Sequence, residues 1–176
     1  MTGLFNNANL ALSNSTLNWY DPATTGTQIV ADLNQILVDG YINSATVHVF
    51  GMIVLDATRF AKIANMPMSA QFPEKTVLKY FLENNQYTAL TGNPPIVKSR
   101  LQLSAAQLAA AGVSNGNKDR ILAYELNDEN LGMQVPIPWR SLAPQMHNLK
   151  VNVPCEYKIS GVEFRYPFSG AYRDQF

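Results

Sequence analysis

Val47-His48-Val49-Phe50-Gly51-Met52-Ile53-Val54-Leu55-Asp56-Ala57-Thr58-Arg59-Phe60-Ala61-Lys62-Ile63-Ala64 decides the class of fold. From Val47 to Leu55 apolar residues stand on both parities. Val49, Gly51, Ile53 and Leu55 share one, and Phe50, Met52 and Val54 share the other. Side chains alternate across a strand, so the run predicts a strand covered on both faces. Asp56 follows where a helix N-cap belongs, and a short helix is predicted through Arg59–Ala64, ending before Pro67. A doubly covered strand that feeds a helix predicts a mixed α/β (α+β) fold.

Upstream, Ile29, Val30, Leu33, Ile36, Leu37 and Tyr41 recur at helical spacing, with Thr27 as cap and Gly40 near the stop. Residues 1–26 are rich in Asn, Ser, Thr and Ala and read as extended or looping, with a turn at Asp21-Pro22. Downstream, Pro73-Glu74 reads as the opening of a second short helix through Val77, Leu78, Phe81 and Leu82, because proline suits a first turn. Ile96–Leu103 reads as a strand, and Ser104–Ala111 as a short helix ending at Gly112. Ser114–Asn117 reads as a turn.

The last third reads mostly as strand. Arg120–Leu126 comes first, then a turn at Asn127–Asn130. Val151, Val153, Cys155, Tyr157 and Ile159 alternate cleanly, which predicts one strand with a buried face. Ser160-Gly161 reads as a tight turn into Val162–Tyr166. Between them lies Val135-Pro136-Ile137-Pro138-Trp139-Arg140-Ser141-Leu142-Ala143-Pro144-Gln145. Prolines two apart remove donors along the same strand edge, so that edge cannot template further strands. Trp139 and Arg140 are residue types that often dominate interfaces. Pro136, Pro138, Trp139 and Arg140 are therefore candidate interface residues; the alternative is that Trp139 plugs the domain's own core.

Composition narrows the function. The 176 residues carry 13 basic and 13 acidic side chains, a formal net charge of zero, while asparagine appears 17 times. A sequence-specific nucleic-acid binder would carry a dense Lys/Arg face. A neutral, amide-rich surface suits a subunit that meets copies of itself, because it does not repel them. The single cysteine, Cys155, allows no intrachain disulfide. The longest apolar runs fall far short of the roughly 20 residues that span a bilayer, so no membrane partner is expected.

No catalytic constellation is encoded. His48 stands beside valines in the predicted strand and His147 in a loop, neither at metal-ligand spacing from another His or Cys. Cys155 alternates with apolar residues and reads as a small core side chain. Asp56 has a sufficient role as a cap. Phosphate-loop and nucleophile-elbow patterns do not occur. No cofactor and no metal is expected. A small uncharacterised enzyme joining His147 and Cys155 is the competing reading.

Three stretches carry a resemblance. The first is Gly3–Asn7 with Ile29–Asn34. The second is Met52–Ala61 with Thr76–Asn85. The third runs from Asp119–Tyr124 through Val135–Arg140 and Leu142–Gln145 to Val153–Lys158 and Gly161–Pro167. Together they resemble the C-terminal part of tailed-bacteriophage major capsid proteins. That resemblance implies the Hong-Kong-97-type capsid fold. Residues 1–130 would form its axial lobe, and residues 131–176 the closing strands that link to the peripheral lobe. The N-terminal arm, extended loop and spine helix of that fold would precede Met1. The implied function is a structural, non-enzymatic subunit of an icosahedral phage or prophage capsid, assembled in the bacterial host cytoplasm and resident in the virion. Its partners would be copies of itself, other virion proteins and, non-specifically, packaged DNA. A host-encoded compartment shell of the same fold is the alternative.

Overall fold

The computed structural model describes residues 3–69 and 72–175, with the side chains of Phe72 and His147 outside the description. Strand β1 (Ala11–Asn14) is followed by helix α1 (Gly26–Asn43), strand β2 (Met52–Leu55) and helix α2 (Ala57–Asn65). A small hairpin, β3 (Pro67–Ser69) with β4 (Phe72–Thr76), leads into α3 (Val77–Glu83) and α4 (Gln86–Thr91). Strand β5 (Ile96–Ser99), a 3-10 turn at Leu101–Leu103, α5 (Ala105–Ala110) and β6 (Asp119–Tyr124) complete the first two thirds. Six short strands come next: β7 (Leu131–Met133), β8 (Ile137–Ser141), β9 (Gln145–His147), β10 (Lys150–Asn152), β11 (Cys155–Lys158) and β12 (Val162–Phe164). Strand β13 (Gly170–Gln175) ends the described chain.

Five strands form one mixed sheet in the order β1-β13-β6-β2-β5. β1 runs parallel to β13 and β2 parallel to β5, while the β13–β6 and β6–β2 pairs are antiparallel. Both sheet faces are covered, as the both-parity run in β2 requires. Ile53, Leu55, Ile121, Ala123 and Ala171 face α1, α2 and α3 through Ile29, Leu33, Ile36, Ile63 and Phe81. Met52, Val54, Leu122, Tyr124 and Tyr172 face the other way, onto Leu10, Leu103 and Phe164. Strand β2 alone buries four apolar side chains, each worth about 1.5–3 kcal/mol.

Several boundaries differ from the sequence reading. The helix of residues 26–43 is capped by Thr25, not Thr27, in a reciprocal capping box with Gln28. It runs three residues past Gly40, which sits inside it because a Cβ there would lie 2.0 Å from the Phe50 ring. The strand expected from Val47 begins only at Met52, since Ala45 and Thr46 take left-handed φ angles of 52° and 68° and leave Val47 in solvent. Asp56 caps α2 as read, accepting Thr58 N–H at 2.9 Å. Pro73-Glu74 does not open a helix. It lies in β4, and Thr76 caps the helix instead. Residues 1–26 contain β1 and also Trp19, which is entirely buried.

The two ends of the described chain are joined by buried polar groups. The Asp32 carboxylate of α1 accepts from Ser15 Oγ (2.9 Å), Trp19 Nε1 (2.8 Å), Arg173 Nε (2.8 Å) and Gln175 Nε2 (2.5 Å). Arg59 is fully buried and donates to Asp119 (3.1 Å) and to Gln175 Oε1 (2.6 Å), lying over the rings of Trp19 and Tyr20. On the opposite face Arg120 grips Asp174 with two hydrogen bonds of 2.6 and 2.9 Å and donates to the Phe5 carbonyl. Tyr172 donates to the Leu4 carbonyl at 2.7 Å and accepts Asn7 N–H at 3.0 Å.

Two predictions follow from these buried groups. Breaking a buried charge pair from one side costs about 3–5 kcal/mol. Asp32→Ala therefore lowers Tm by roughly 6–20 °C in a thermal melt, and an unchanged Tm would contradict the network. Burial pushes the Tyr172 hydroxyl up from 10.0 to about 12. The folded chain then holds that proton more tightly than the unfolded one. The contribution is whole below pH 10 and is lost as pH rises through about 12. Tyr172→Phe is less stable at neutral pH by about 1–3 kcal/mol, from the orphaned Asn7 N–H, yet declines less steeply across that window. Denaturant midpoints measured on both sides of the window check both halves.

Candidate interaction surface

The six strands between β6 and β13 form no part of the five-stranded sheet. Each pairs within a nested hairpin: β7 with β12, β8 with β11, and β9 with β10. Partners run from Leu131 opposite Phe164, through Ser141 opposite Cys155, to His147 opposite Lys150. The result is one two-stranded ribbon spanning residues 131–164. Its register slips at a bulge between Glu156 and Lys158. A second slip falls between the Ser141–Cys155 and Gln145–Asn152 pairs, where Pro144 and Pro154 interrupt the ladder. Proline 154 is also why the single strand expected from Val151 to Ile159 becomes two, although its carbonyl still accepts Leu142 N–H at 2.8 Å.

Two residues, Asn148 and Leu149, make the tip, with φ angles of 45° and 65°. Positive φ at both central positions is the type I′ signature, whose twist matches that of the flanking strands. Asparagine tolerates that conformation well, but leucine pays roughly 1–2 kcal/mol for it. Leu149 is nevertheless completely exposed, so burial among the described residues does not offset the strain.

Beyond its root, where Phe164 is buried and Leu131 half-buried, the ribbon buries neither face. β8, β10 and β11 are exposed on both parities. Large apolar side chains are concentrated there all the same. Met133 stands opposite Val162, Met146 opposite Val151, and Trp139 lies against Tyr157 with ring centroids 5.9 Å apart. Trp139 is 67% exposed and Tyr157 62%. On the other parity Arg140 forms an ion pair with Glu156, well exposed and so worth little by itself. The alternation Val151–Ile159 does mark one apolar stripe, but the buried face expected for it is open: Val151, Val153, Tyr157 and Ile159 are all solvent-exposed. An isolated two-stranded hairpin is at best marginally stable in water, and an exposed apolar surface on this scale makes the ribbon a candidate interaction surface.

The sequence-derived candidates fall out clearly. Pro136 precedes β8, and Pro138, Trp139 and Arg140 lie within it, all on the ribbon; Trp139 does not plug this chain's core, a place that Trp19 fills. The sequence reading overlooked the tip, although an asparagine flanked by short strand segments is a hairpin signal. Cys155 is not a core side chain but an exposed thiol on β11. His147 lies on β9 rather than in a loop, and its side chain is outside the described residues. His48 bonds Glu125 through Nδ1 at 2.6 Å. Among the described residues no group of three or more His, Cys, Asp or Glu could hold a metal, and no helix is long and apolar enough to cross a membrane.

Comparison with known proteins gives the context of this surface. Residues 1–176 match the family model described as major capsid protein. Among solved structures, the chain is similar to the capsid of Myoviridae phage XM1, at 15% identity and a TM-score of 0.75, covering 100% of this chain and 54% of that one. It is also similar to the virus-like particle from Pyrococcus furiosus, at 12% identity and a TM-score of 0.51, covering 97% of this chain and 57% of that one. No curated protein matches. The chain thus spans little more than half the length of the solved capsid chains it matches, and the likeness shows a shared fold.

The two tryptophans give opposite expectations. Trp139→Ala removes a mostly solvated side chain and shifts folding stability by no more than about 0.5 kcal/mol. Trp19→Ala empties a closed site and strips a donor from Asp32, costing about 3–5 kcal/mol. Denaturant titration of both variants distinguishes surface from core; a Trp139 variant as damaged as the Trp19 one would mean the ribbon is packed in solution.

Proposed function

This chain belongs to the major capsid protein family, and we propose that it is a structural subunit of an icosahedral phage or prophage capsid that works by self-association and carries out no catalysis. The observation that carries this is the apolar ribbon, which beyond its root has no cover among the described residues. A surface of that kind gains its free energy only when other protein excludes water from it. In a closed shell the same patch is used once per subunit, so a modest contact is multiplied by symmetry.

On this reading the fold is of the Hong-Kong-97 type. Residues 1–130 correspond to the axial lobe and residues 131–176 to the closing strands toward the peripheral lobe. Pro136 and Pro138 keep the ribbon edge from uncontrolled strand addition, while Trp139, backed by Tyr157, is the aromatic anchor. Arg140, held by Glu156, lies on the polar rim. The partners are copies of the same subunit, then other virion proteins. With a net charge of zero, contact with packaged DNA is non-specific and weak. The protein resides in the virion after assembly in the host cytoplasm. A host-encoded compartment shell would use the same surfaces; the virus-like particle from Pyrococcus furiosus is compatible with that alternative and does not favour it.

Electron microscopy of the complete capsid gene product tests the function. The wild type forms capsomers or shells, and its failure to form either would overturn the reading. Trp139→Ala and Leu149→Asp lower the yield of shells by tenfold or more, as expected for removing an anchor worth about 2 kcal/mol at each symmetric contact. Normal assembly of both would remove the ribbon from the interface.

A further inference from the structure

The root of the ribbon is built unlike the rest of it. On the lobe side, Glu125 N–H donates to the Ser169 carbonyl at 2.9 Å. On the ribbon side, Arg165 N–H donates to the Asn130 carbonyl at 3.0 Å. Between these two rungs the strands are interrupted by a turn at 127–130 and the 3-10 segment Pro167–Ser169. No ladder crosses the gap. A side chain does: Glu125 Oε2 accepts Asn130 Nδ2 at 2.7 Å and also bonds His48 Nδ1 at 2.6 Å. Asn130 is buried, the His48 ring lies 5.9 Å from that of Tyr166, and Phe164 packs edge-on against Tyr124 at 6.2 Å.

The segment that delivers His48 is strained. Ala45 and Thr46 both sit in the left-handed region, where a β-branched residue is a true outlier and each residue costs about 1–2 kcal/mol. The Ser44 hydroxyl holds the turn, accepting His48 N–H at 3.1 Å and donating to the Tyr41 carbonyl at 3.0 Å. Backbone strain of this kind persists only where surrounding contacts over-determine it, and it gathers at working sites. Here it places one histidine against one carboxylate at the junction of two structural units.

We propose that His48, Glu125 and Asn130 form a lock that sets the angle of the ribbon to the sheet lobe, with Phe164 as the fulcrum on which the ribbon pivots when the lock opens. Glu125 is the shared element. It belongs to the lobe by its backbone, to the ribbon through Asn130, and to the end of α1 through His48. Phe164 stays seated in the apolar cluster under the sheet, so release changes the ribbon's setting without unfolding either unit. The device is a property of this chain alone, and its test does not depend on whether the chain builds shells.

Cys155 is the sole cysteine and is exposed on β11, so a fluorophore attached there reports ribbon motion by time-resolved anisotropy. In the wild type the label follows overall tumbling, apart from its own local motion. Glu125→Ala adds a segmental component, raising the pivoted population about tenfold, the factor expected for losing hydrogen bonds to a charged group. His48→Ala gives a smaller rise, and Glu125→Gln, which keeps a carbonyl acceptor for Asn130, stays near wild type. Amide exchange in α1 and β6 remains unchanged throughout. The proposal is overturned if Glu125→Ala leaves the anisotropy decay as it was. It is equally overturned if exchange in β6 accelerates along with it, since Glu125 would then merely stabilise the lobe.

Discussion

The Asp32 carboxylate is the constraint around which the lobe is arranged. It is a charge taken out of water, which is tolerable only when every lone pair is matched. Its four donors come from the segment after β1 and from the last described strand, while Asp32 itself rides on α1. One helix turn therefore fixes where both ends of the described chain must lie. Arg173 and Gln175 reach α1 from one face of β13, and Asp174 between them turns to Arg120 on the other. The two-residue period of the strand distributes the polar groups to opposite faces, just as it does the apolar ones in β2.

With the lobe closed in this way, the ribbon stands out by contrast. The lobe has two apolar clusters and buried ion pairs. Beyond its root at Leu131 and Phe164, the ribbon has apolar residues with no cover among the described residues. A chain whose lobe and ribbon treat hydrophobic side chains so differently is complete as a folding unit in one and incomplete in the other. That asymmetry is the physical content of calling it a subunit. On the proposed reading, the missing contacts belong to other protein.

Much of the lobe was legible in sequence because its signals are local. The both-parity run of β2, the Asp56 cap and the helical spacing of Ile29 to Tyr41 each express a period that one element imposes on itself. Pro73-Glu74 misled because proline is welcome both in a first helical turn and near a strand end; the deciding influence was pairing with β3. Trp19 gave no periodic signal, for its burial depends on Asp32 thirteen residues away. The ribbon exposes a deeper limit. Alternation from Val151 to Ile159 reveals that one face is apolar, yet says nothing of what covers it. Cys155 was assigned to the core for that reason, and the resemblance to capsid proteins, rather than the pattern, pointed outside the chain.

The position of β13 has a kinetic consequence. It is the second strand of the sheet, wedged between β1 and β6, and its contacts with the N-terminal segment join residues about as far apart as Ser13 and Tyr172. β1 pairs with no other strand. Until β13 arrives, β1 has no strand to pair with, and the loop to be closed is nearly the whole described chain. Long-range pairings of this sort slow folding. The flank of β6 that β13 will occupy is a bare strand edge during the wait, open to a stray strand from a neighbouring chain. A molecule made in many copies at once would be most vulnerable to misassembly in that interval, before its sheet has closed.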